Sequence, residues 1–342
     1  MAKIFVTGGA GFIGSAFVRL ILAERADIEI VDFDALTYAG NLENLTGLEE
    51  TRHTFIKGDI CDRDAVNAAI PQGCEAVFNF AAESHVDRSI HSADEFLQTN
   101  IIGTQVLLDA ARAKQVKRFV QVSTDEVMGS LPDESDDYFT EDSPLQPNSP
   151  YAASKAGAEF CVRAARKTHG LDAVVTRCGN NYGPRQFPEK LIPLMIANAL
   201  NDEPLPVYGD GMNVRDWIYV DDHCRGIWLA YERGRTGEVY NIGARNEQHN
   251  IDVVRSILDA LDKPHDLIRF IEDRPGHDRR YAIDPTKCET ELGWEPQVKW
   301  KDGLAATIDW YRKNQAWVEH IRSGEYQRYY DRLYAARLSQ SK

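Results

Sequence analysis

A glycine-rich turn near the N-terminus constrains the fold of this chain more than any other feature. The apolar segment 3–7 predicts a short strand, and it runs directly into the segment 8–14, GGAGFIG. An amphipathic helix is expected to follow, with Phe17, Leu20 and Ile21 on one side. A strand, a glycine turn and a helix N-terminus together form a pyrophosphate site, because the amides and the helix dipole both face the anion. The spacing is G-x-x-G-x-x-G, which differs from the standard G-x-G-x-x-G dinucleotide fingerprint.

Acidic residues at the end of the second predicted strand indicate which dinucleotide binds. The segment 28–31 predicts this strand, and Asp32 and Asp34 follow it. An acid about 20 residues beyond the glycines accepts hydrogen bonds from the adenosine ribose and disfavours a 2′-phosphate. The sequence therefore predicts NAD over NADP as the cofactor. We favour Asp34 as the ribose ligand because it is closer to the following loop, with Asp32 as the alternative.

Strands that alternate with helices over the first half of the chain predict the fold class. Further strands are predicted at 54–56, 76–80, 118–122 and 173–177, with a helix from about 93 to 114. This order favours an α/β fold, a Rossmann-type doubly wound parallel sheet with right-handed crossovers. Beyond residue 177 the pattern becomes irregular, and the segment 178–184 predicts a turn-rich loop.

A chain of 342 residues exceeds an ordinary single domain, so two lobes are expected. We expect a smaller, mixed C-terminal substrate-binding lobe beside the parallel sheet. Residues 1–177 would form the NAD-binding Rossmann domain, and about 222–243 would return to it. Residues 178–221 and 244–342 would form the substrate-binding lobe.

Charge and composition argue against several classes of protein. The formal net charge of −14 argues against nucleic acid as a partner, and an anionic substrate would need a locally basic pocket. The sequence shows neither an apolar stretch of membrane length nor a secretory signal pattern, so we expect no membrane partner. The six cysteines form no C-x-x-C pair and the nine histidines no H-E-x-x-H motif. We therefore expect reduced thiols, a cytoplasmic location and no metal.

Polar residues follow the predicted strand at 118–122 directly. They are Thr124, Asp125 and Glu126 within the segment 123–127, STDEV. Ligands of open α/β sheets bind beyond the carboxyl ends of the strands. These three side chains are therefore expected at the functional site.

A tyrosine and a lysine share one face of the next predicted helix. Ser149 is a plausible N-cap with proline after it, which predicts that the helix begins there. Tyr151 and Lys155 are then one turn apart. The lysine ammonium is expected to stabilise a phenolate, which a tyrosine needs to take a proton near neutral pH.

The segment 273–280, DRPGHDRR, is unusually rich in arginine and histidine for an acidic chain. Guanidinium groups pair bidentately with phosphate, so a diphosphate clamp is one interpretation. Surface salt bridges are the alternative.

With these features placed, the chain resembles the extended short-chain dehydrogenase/reductase family, and more closely the dTDP-glucose 4,6-dehydratases. The resemblance runs from the segment 6–14 to the tail at 323–327. Its most specific marks are the segments 36–41 (LTYAGN), 81–89 (AAESHVDRS), 123–127 (STDEV), 180–184 (NNYGP), 187–193 (FPEKLIP) and 274–281 (RPGHDRRY). Met128 departs from the tyrosine usual in the family, and we expect this residue to pack rather than react.

The resemblance implies the conversion of dTDP-glucose to dTDP-4-keto-6-deoxyglucose by oxidation at C4, loss of water across C5 and C6, and hydride return to C6. Tyr151, with Lys155 beside it and Thr124 holding the sugar O4, would take the 4-hydroxyl proton. Glu126 would take the C5 proton while Asp125 protonates the departing C6 hydroxyl. Adjacent acids in a poorly hydrated site can adopt the opposite protonation states that this requires.

The resemblance and the glycine turn also imply two sets of binding residues. The NAD site would be lined by Gly8, Gly11, Phe12, Ile13, Gly14, Asp34, Asp59, Ile60, Ala81, Ala82, Thr99, Tyr151, Lys155 and Asn181. The nucleotide sugar would be held by Ser84, Thr124, Asn180, Lys190, Leu191, Pro206, Tyr208, Arg215, Asn250, Arg274, His277 and Tyr334. The family is typically homodimeric through the helix that holds Tyr151 and the helix that ends near Lys114.

Three alternatives remain open from the sequence. A UDP-sugar 4,6-dehydratase is the first, because thymine and uracil differ by one methyl group, which is worth only about 1–3 kcal/mol of discrimination. A nucleotide-sugar 4-epimerase or a decarboxylase shares the glycine motif and the Tyr151–Lys155 pair, but it does not need Asp125 and Glu126 as acid and base. A catalytically silent NAD-binding scaffold needs none of these four residues. The intact set favours the dehydratase.

Overall fold

The computed structural model describes residues 1–133, 135–322, 334 and 338. Its strands are β1 (Ala2–Thr7), β2 (Ile28–Asp34), β3 (His53–Lys57), β4 (Ala76–Asn79), β5 (Arg118–Thr124), β6 (Ala173–Cys178), β7 (Asn180–Tyr182), β8 (Leu205–Tyr208), β9 (Val214–Tyr219), β10 (Val239–Ile242), β11 (Glu247–His249) and β12 (Ile268–Ile271). Its α-helices are α1 (Phe12–Glu24), α2 (Arg63–Ala69), α3 (Val86–His91), α4 (Asp94–Leu97), α5 (Thr104–Ala113), α6 (Pro150–His169), α7 (Leu191–Leu200), α8 (Val220–Arg233), α9 (Asn250–Leu261), α10 (Trp300–Lys313) and α11 (Gln315–Arg322). Short 3₁₀ turns lie at Leu42–Leu45, Asp125–Met128 and His265–Leu267, and π-helical turns at Gln98–Gly103 and Cys288–Leu292.

Seven strands form one parallel sheet in the order β10-β6-β5-β4-β1-β2-β3. The chain adds β2 and β3 on one side of β1 and then crosses over to build the other side from β4. This confirms the predicted fold class, a Rossmann-type doubly wound sheet. In such sheets a crevice forms where the strand order reverses, which here is between β1 and β4.

Apolar layers cover both faces of this sheet. Ile4 and Val6 on β1 pack with Phe17 of α1 on one side, whereas Phe5 packs with Phe33 on the other. Alternate residues of a strand face opposite sides, so a strand covered on both sides must be apolar along its whole length. This double burial holds β1 rigidly beneath the glycine turn.

Elements from the second half of the chain also join the first sheet. Strand β10 pairs with β6 at one edge, and α8 contributes Ile227 and Trp228 to the same apolar core as Phe17. The predicted strand at the end of the segment 222–243 therefore lies in the parallel sheet. The division of the chain into two lobes at residues 177, 221 and 243 stays a prediction.

The remaining strands form smaller sheets, one of three strands in the order β11-β9-β7 and one of two, β12-β8. Strands β7 and β9 run parallel, and β9 and β11 run antiparallel, so the three-stranded sheet is mixed. The expectation of a loop throughout 178–184 is wrong, since Asn180–Tyr182 forms β7. Its partner β9 lies much further along the chain, so local sequence does not reveal the pairing.

The predicted helix from about 93 to 114 is present, but it contains a π-helical turn between α4 and α5. Asn100 lies in this turn and is buried. Its side chain accepts a hydrogen bond from the Glu83 amide at 2.9 Å, and it donates to the Glu83 carbonyl at 3.0 Å and to Ser154 Oγ at 2.8 Å. Asn100 therefore ties the loop after β4 to α6. Turns of this kind often occur at functional sites.

Across residues 1–133 and 135–322, no helix is both long enough and apolar enough to cross a bilayer.

Candidate active site

A cavity of about 360 Å³ runs along the carboxyl edge of the parallel sheet. It is lined by residues at or just beyond the ends of five strands, namely Gly8, Asp34, Phe80, Thr124 and Cys178. Ligands of open α/β sheets bind at this edge. The sequence predicted active groups here, and the sheet brings them to a single cavity.

The glycine turn lies against its neighbours too closely for side chains. A Cβ on Gly14 would lie 2.1 Å from the Gly8 carbonyl oxygen, and one on Gly9 would lie 2.1 Å from Asp32 Oδ1. Gly8 has φ +71°, and a Cβ there would lie 2.7 Å from the Ala81 amide nitrogen. Helix α1 begins within this segment, at Phe12, and its N-cap Gly11 has no side chain to bond the first amides. The bare backbone at a helix N-terminus fits a dinucleotide diphosphate.

The two candidate ribose ligands occupy different positions. Asp34 lines the cavity, and its carboxylate accepts hydrogen bonds from the amides of Ala10 at 3.0 Å and Leu36 at 2.7 Å. Asp32 is fully buried beneath the turn, with its Oδ2 3.3 Å from His53 Nε2. This placement favours Asp34 for the ribose. Every other residue predicted for the cofactor site also lines the cavity.

The 3₁₀ turn after β5 carries the two predicted acid–base carboxyls. Thr124 Oγ1 accepts the Glu126 amide at 3.3 Å and donates to Asp125 Oδ1 at 3.2 Å. Burial and the neighbouring Glu126 raise the pKa of Asp125 well above its ordinary value. Burial also raises the pKa of Glu126, but the charges of Arg274, Lys190 and Arg215 oppose that rise. Of the two carboxyls, the surroundings therefore favour the proton on Asp125 over Glu126.

Tyr151 and Lys155 both lie on α6, and both line the cavity. Ser149 Oγ accepts the Ala152 amide at 3.1 Å, which confirms the predicted N-cap. Lys155 Nζ, however, donates to the Val122 carbonyl at 2.7 Å, and burial lowers its pKa to about 8. The pKa of Tyr151 is raised well above its ordinary value by burial and by Glu126. Support of a Tyr151 phenolate by Lys155 stays a prediction.

The predicted nucleotide-sugar residues fall into two groups. Five of them line the cavity, namely Ser84, Thr124, Asn180, Lys190 and Leu191. The other seven lie outside its lining, and they are Pro206, Tyr208, Arg215, Asn250, Arg274, His277 and Tyr334.

Tyr208 is the centre of the second group. Its hydroxyl is 3.5 Å from Asp87 Oδ2, and Arg274 Nη1 is 3.5 Å from Asp87 Oδ1. The Tyr208 ring centroid lies 6.0 Å from that of His277 and 6.3 Å from that of Tyr334. These contacts bring four of the seven residues together at one place.

Pro206 belongs to the same strand as Tyr208, two residues earlier. Asn250 begins α9, where its amide donates to the Asn213 carbonyl at 2.9 Å, and its buried side-chain Oδ1 has no hydrogen-bond partner among the described residues. The tail motif at 323–327 lies outside the described residues.

The arginines of this region form the locally basic pocket that an acidic chain needs for an anionic substrate. Arg215 is buried, and its charge acts on Asp125 and Glu126, as does that of Arg274 on Glu126. Lys190 donates to the Ser84 carbonyl at 2.8 Å and also acts on Glu126. The charges of three cations therefore act on Glu126, one of the two predicted acid–base carboxyls.

Glu189 lies within the motif 187–193 but is not among the predicted site residues. Glu189 lines the cavity, is buried, and accepts a hydrogen bond from the Tyr38 hydroxyl at 3.1 Å. Burial raises its pKa to about 7. Cys178 and Trp217 also line the cavity. Cys178 lies at the end of β6, whereas Trp217 reaches the site on β9 through its pairing with Asn180 of β7. Because Asn180 is distant from Trp217 in the sequence, no local pattern could identify Trp217.

Met128 packs in a small apolar cluster with Val127 and Leu131. Arg177 Nη1 lies 3.5 Å from its sulfur, and Arg177 forms a buried ion pair with Glu159 at 2.8 Å. Met128 does not line the cavity, which agrees with the packing role expected for it.

Comparisons with known proteins agree over nearly the whole chain. The family described as GDP-mannose 4,6 dehydratase matches residues 5–307. A dTDP-glucose 4,6-dehydratase from Neisseria meningitidis serogroup B is 51% identical over 348 residues, which cover 95% of this chain and 98% of the relative. The crystal structure of DesIV, a dTDP-glucose 4,6-dehydratase from Streptomyces venezuelae with NAD and TYD bound, is 51% identical with a TM-score of 0.90, covering 93% of this chain and 99% of that chain. A dTDP-glucose 4,6-dehydratase from Bacillus anthracis in complex with NAD is 45% identical with a TM-score of 0.86, covering 94% of this chain and 100% of that chain.

The doubly wound sheet, the glycine turn and the Tyr151–Lys155 pair define an extended short-chain dehydrogenase/reductase. Within this class, the 51% identity to the Neisseria meningitidis dTDP-glucose 4,6-dehydratase, over 95% of the chain, identifies the family. The chain belongs to the dTDP-glucose 4,6-dehydratase family. The resemblance drawn from the sequence motifs is thereby confirmed.

Proposed function

We propose that this chain converts dTDP-glucose to dTDP-4-keto-6-deoxyglucose as an NAD-dependent hydro-lyase. The observation that carries the proposal is the adjacent pair Asp125 and Glu126, whose surroundings hold a proton more firmly on Asp125 than on Glu126, beside Tyr151 in one cavity. The names of the relatives and the ligands of their solved structures support the same substrate and cofactor.

Bound NAD supplies the capacity to accept a hydride from sugar C4 and to return it to C6. The glycine turn would hold its diphosphate, and Asp34 its adenosine ribose. Thr124 holds the sugar O4 next to Tyr151, which takes the 4-hydroxyl proton. The resulting ketone acidifies the hydrogen at C5, and this prepares the sugar for elimination.

Elimination of water then requires one base and one acid. Glu126 takes the proton from C5, and the electrons of that bond form the C5–C6 double bond. Asp125 gives its proton to the departing C6 hydroxyl, which leaves as water. The nearby charges of Arg274, Lys190 and Arg215 favour the ionised Glu126 that the step needs.

An isotope experiment tests this function against its alternatives. Substrate deuterated at C4 and mixed with unlabelled substrate should yield a 4-keto product labelled at C6, because the hydride stays with one bound sugar. Mass spectrometry of the product locates the label. In a 4-epimerase the deuterium would remain at C4 and no 4-keto sugar would form.

The same assay with UDP-glucose and UDP-N-acetylglucosamine measures the preference of the enzyme for the nucleotide and for the sugar of its substrate. Faster turnover of a UDP sugar than of dTDP-glucose would contradict the proposed substrate. Exchange of label between product molecules would contradict retention of one hydride by one sugar.

Arg215 is proposed to bind the diphosphate of the substrate. Arg215→Ala should raise the KM for dTDP-glucose by about 10- to 100-fold, since a hydrogen bond to a charged group contributes about 1.5–3 kcal/mol. The effect on kcat should be smaller, because the contact is nearly uniform along the reaction. Steady-state kinetics measure both quantities. Arg235→Ala is the control, because Arg235 pairs with Glu291 on the surface. An unchanged KM for Arg215→Ala would refute the role.

We further propose a homodimer formed through α6 and the helix from α4 to α5. Large apolar side chains are exposed on both elements, namely Leu97 (43%), Ile102 (48%) and Phe160 (58%). The two elements pack side by side, so one surface can present all three residues. A second copy of the chain would cover them.

Phe160→Lys should shift the equilibrium from dimer toward monomer, because the interface would then have to bury a charge in place of an aromatic ring. Size-exclusion chromatography with light scattering measures the mass. Phe270→Lys is the matched control, since Phe270 is 46% exposed on β12, outside the proposed interface. A monomeric wild-type protein would contradict the proposal.

We also propose a cytoplasmic location. All six cysteines are free thiols, which is typical of proteins in a reducing compartment. Fractionation of the source cells with an antibody against the chain measures the location, and recovery outside the cytoplasm would contradict it.

A further inference from the structure

The buried Arg215 is held by an aromatic ring and by backbone carbonyls. Its guanidinium carbon lies 4.3 Å from the centroid of the Tyr281 ring. Its nitrogens donate to the carbonyls of Val214 at 2.8 Å, Asp278 at 2.9 Å and Arg279 at 3.3 Å. Within the described residues it forms no ion pair with a carboxylate, in contrast to the neighbouring Arg279 and Arg280. Its positive charge is therefore oriented but not neutralised.

Tyr281 is itself fixed by a chain of hydrogen bonds. Its ring is 4% exposed, and its hydroxyl donates to Asp278 Oδ2 at 2.5 Å. The other carboxylate oxygen, Asp278 Oδ1, accepts a hydrogen bond from Asn148 Nδ2 at 2.6 Å. Asn148 directly precedes Ser149, the N-cap of α6. A continuous path therefore leads from Arg215 through Tyr281, Asp278 and Asn148 to the start of the helix that carries Tyr151.

This arrangement suits a cation that must receive an anionic ligand. An arginine stacked on an aromatic face keeps the edge of its guanidinium plane available for bidentate contact with phosphate. A carboxylate partner would instead compete with the ligand for that edge. A tyrosine that merely filled the core would need neither the stacked arginine nor the link to α6.

We propose that Tyr281 is a positioning residue that orients Arg215 toward the substrate diphosphate and, through Asp278 and Asn148, fixes this arginine relative to the N-terminus of α6. The inference rests on the proposed function, in which Arg215 binds the diphosphate. The diphosphate and the sugar hydroxyl that faces Tyr151 are then held at a fixed distance and orientation relative to each other. Neither Tyr281 nor Asp278 needs to contact the substrate for this purpose.

Two substitutions separate the two contacts of Tyr281. Tyr281→Leu removes both the ring under Arg215 and the hydroxyl, whereas Tyr281→Phe keeps the ring and loses only the bond to Asp278. The probes are dTDP, which carries the diphosphate, and thymidine, which lacks it. Isothermal titration calorimetry on the NAD-loaded enzyme gives both dissociation constants, and steady-state kinetics with dTDP-glucose give kcat and KM.

Tyr281→Leu should weaken binding of dTDP by about 10-fold, the scale of a desolvated cation–π contact, and leave binding of thymidine unchanged. Tyr281→Phe should retain the affinity for dTDP and the KM, but lower kcat by about three- to tenfold through loss of one hydrogen bond in the path to α6. Tyr138→Leu is the matched control, because Tyr138 also stacks with an arginine, Arg280 at 5.4 Å, but is 45% exposed and does not line the cavity. It should alter neither dissociation constant.

The reference variant Arg215→Ala distinguishes failure of the positioning role of Tyr281 from failure of the assignment of Arg215 to the diphosphate. If Arg215→Ala weakens dTDP binding but Tyr281→Leu does not, the positioning role is wrong and the diphosphate assignment stands. If Arg215→Ala leaves dTDP binding unchanged, the diphosphate assignment fails and the positioning role fails with it. Equal losses for dTDP and thymidine in Tyr281→Leu would also overturn the inference, because they indicate a general structural defect. Should Tyr281→Leu not fold, an unchanged kcat in Tyr281→Phe would overturn the link to α6.

Discussion

A Glu126→Gln variant is expected to oxidise the sugar at C4 but to stop before water is lost. Glutamine keeps the size and hydrogen-bonding shape of Glu126 but removes the base, so removal of the C5 proton should slow by about 10²–10⁴-fold. The rate of oxidation at C4 should fall less, because the base for that step, Tyr151, is unchanged. Under single-turnover conditions the variant should accumulate reduced nicotinamide, seen by absorbance, and a 4-ketoglucose nucleotide, with little 6-deoxy product.

The matched control for this experiment is Glu75→Gln, since Glu75 forms a surface ion pair with Lys117. Its kinetics should equal those of the wild type. Asp125→Asn should also stop after oxidation, but at loss of the C6 hydroxyl, so it should still exchange the C5 hydrogen with solvent deuterium. Wild-type rates in both variants, or no reduced nicotinamide in either, would show that the two carboxyls are not divided in this way.

Tyr151→Phe is expected to lower kcat by at least ~100-fold, the usual worth of a positioned general base. The variant should still bind NAD, because the glycine turn and Asp34 lie on other elements. Neither reduced nicotinamide nor 4-keto sugar should build up, in contrast to Glu126→Gln. Single-turnover absorbance and a fluorescence titration with NAD measure these two properties.

Tyr138→Phe is the control for this substitution, because Tyr138 is an exposed tyrosine outside the cavity. Near-normal turnover in Tyr151→Phe would remove Tyr151 from its proposed role. Oxidation would then need another base among the groups that line the cavity, and Glu189, with its pKa raised to about 7, would be the first to test.

The fold could be predicted from the sequence because its signals are local. The strand, turn and helix of residues 3–24 follow one another without a gap, and the later strands of the sheet are short apolar runs between helices. Strand β7 was missed because it has only three residues and exists through its pairing with β9. A strand that depends on a distant partner leaves no periodic pattern of its own.

The site was predictable where residues follow the ends of strands, as Thr124, Asp125 and Glu126 do. It was less predictable where the direction of a side chain decides its role. Helical spacing correctly placed Tyr151 and Lys155 on one face, but it could not show that the lysine ammonium bonds to the Val122 carbonyl of the adjacent strand. Glu189 was not predicted for a related reason, since its partner Tyr38, whose hydroxyl bonds to its carboxylate, lies in a loop that is distant in the sequence.

The residues proposed for elimination and for oxidation lie on different elements. Asp125 and Glu126 lie on the turn after β5, and Tyr151 lies on α6. A change confined to that turn leaves the glycine turn, Asp34 and the capped start of α6 intact. Loss of both carboxyls would therefore produce an enzyme that still oxidises C4 but whose ketone has no route except reduction at the same carbon. Return of the hydride to the same face of C4 would restore the starting sugar, so such an enzyme would pass hydride back and forth between sugar and nicotinamide without net product.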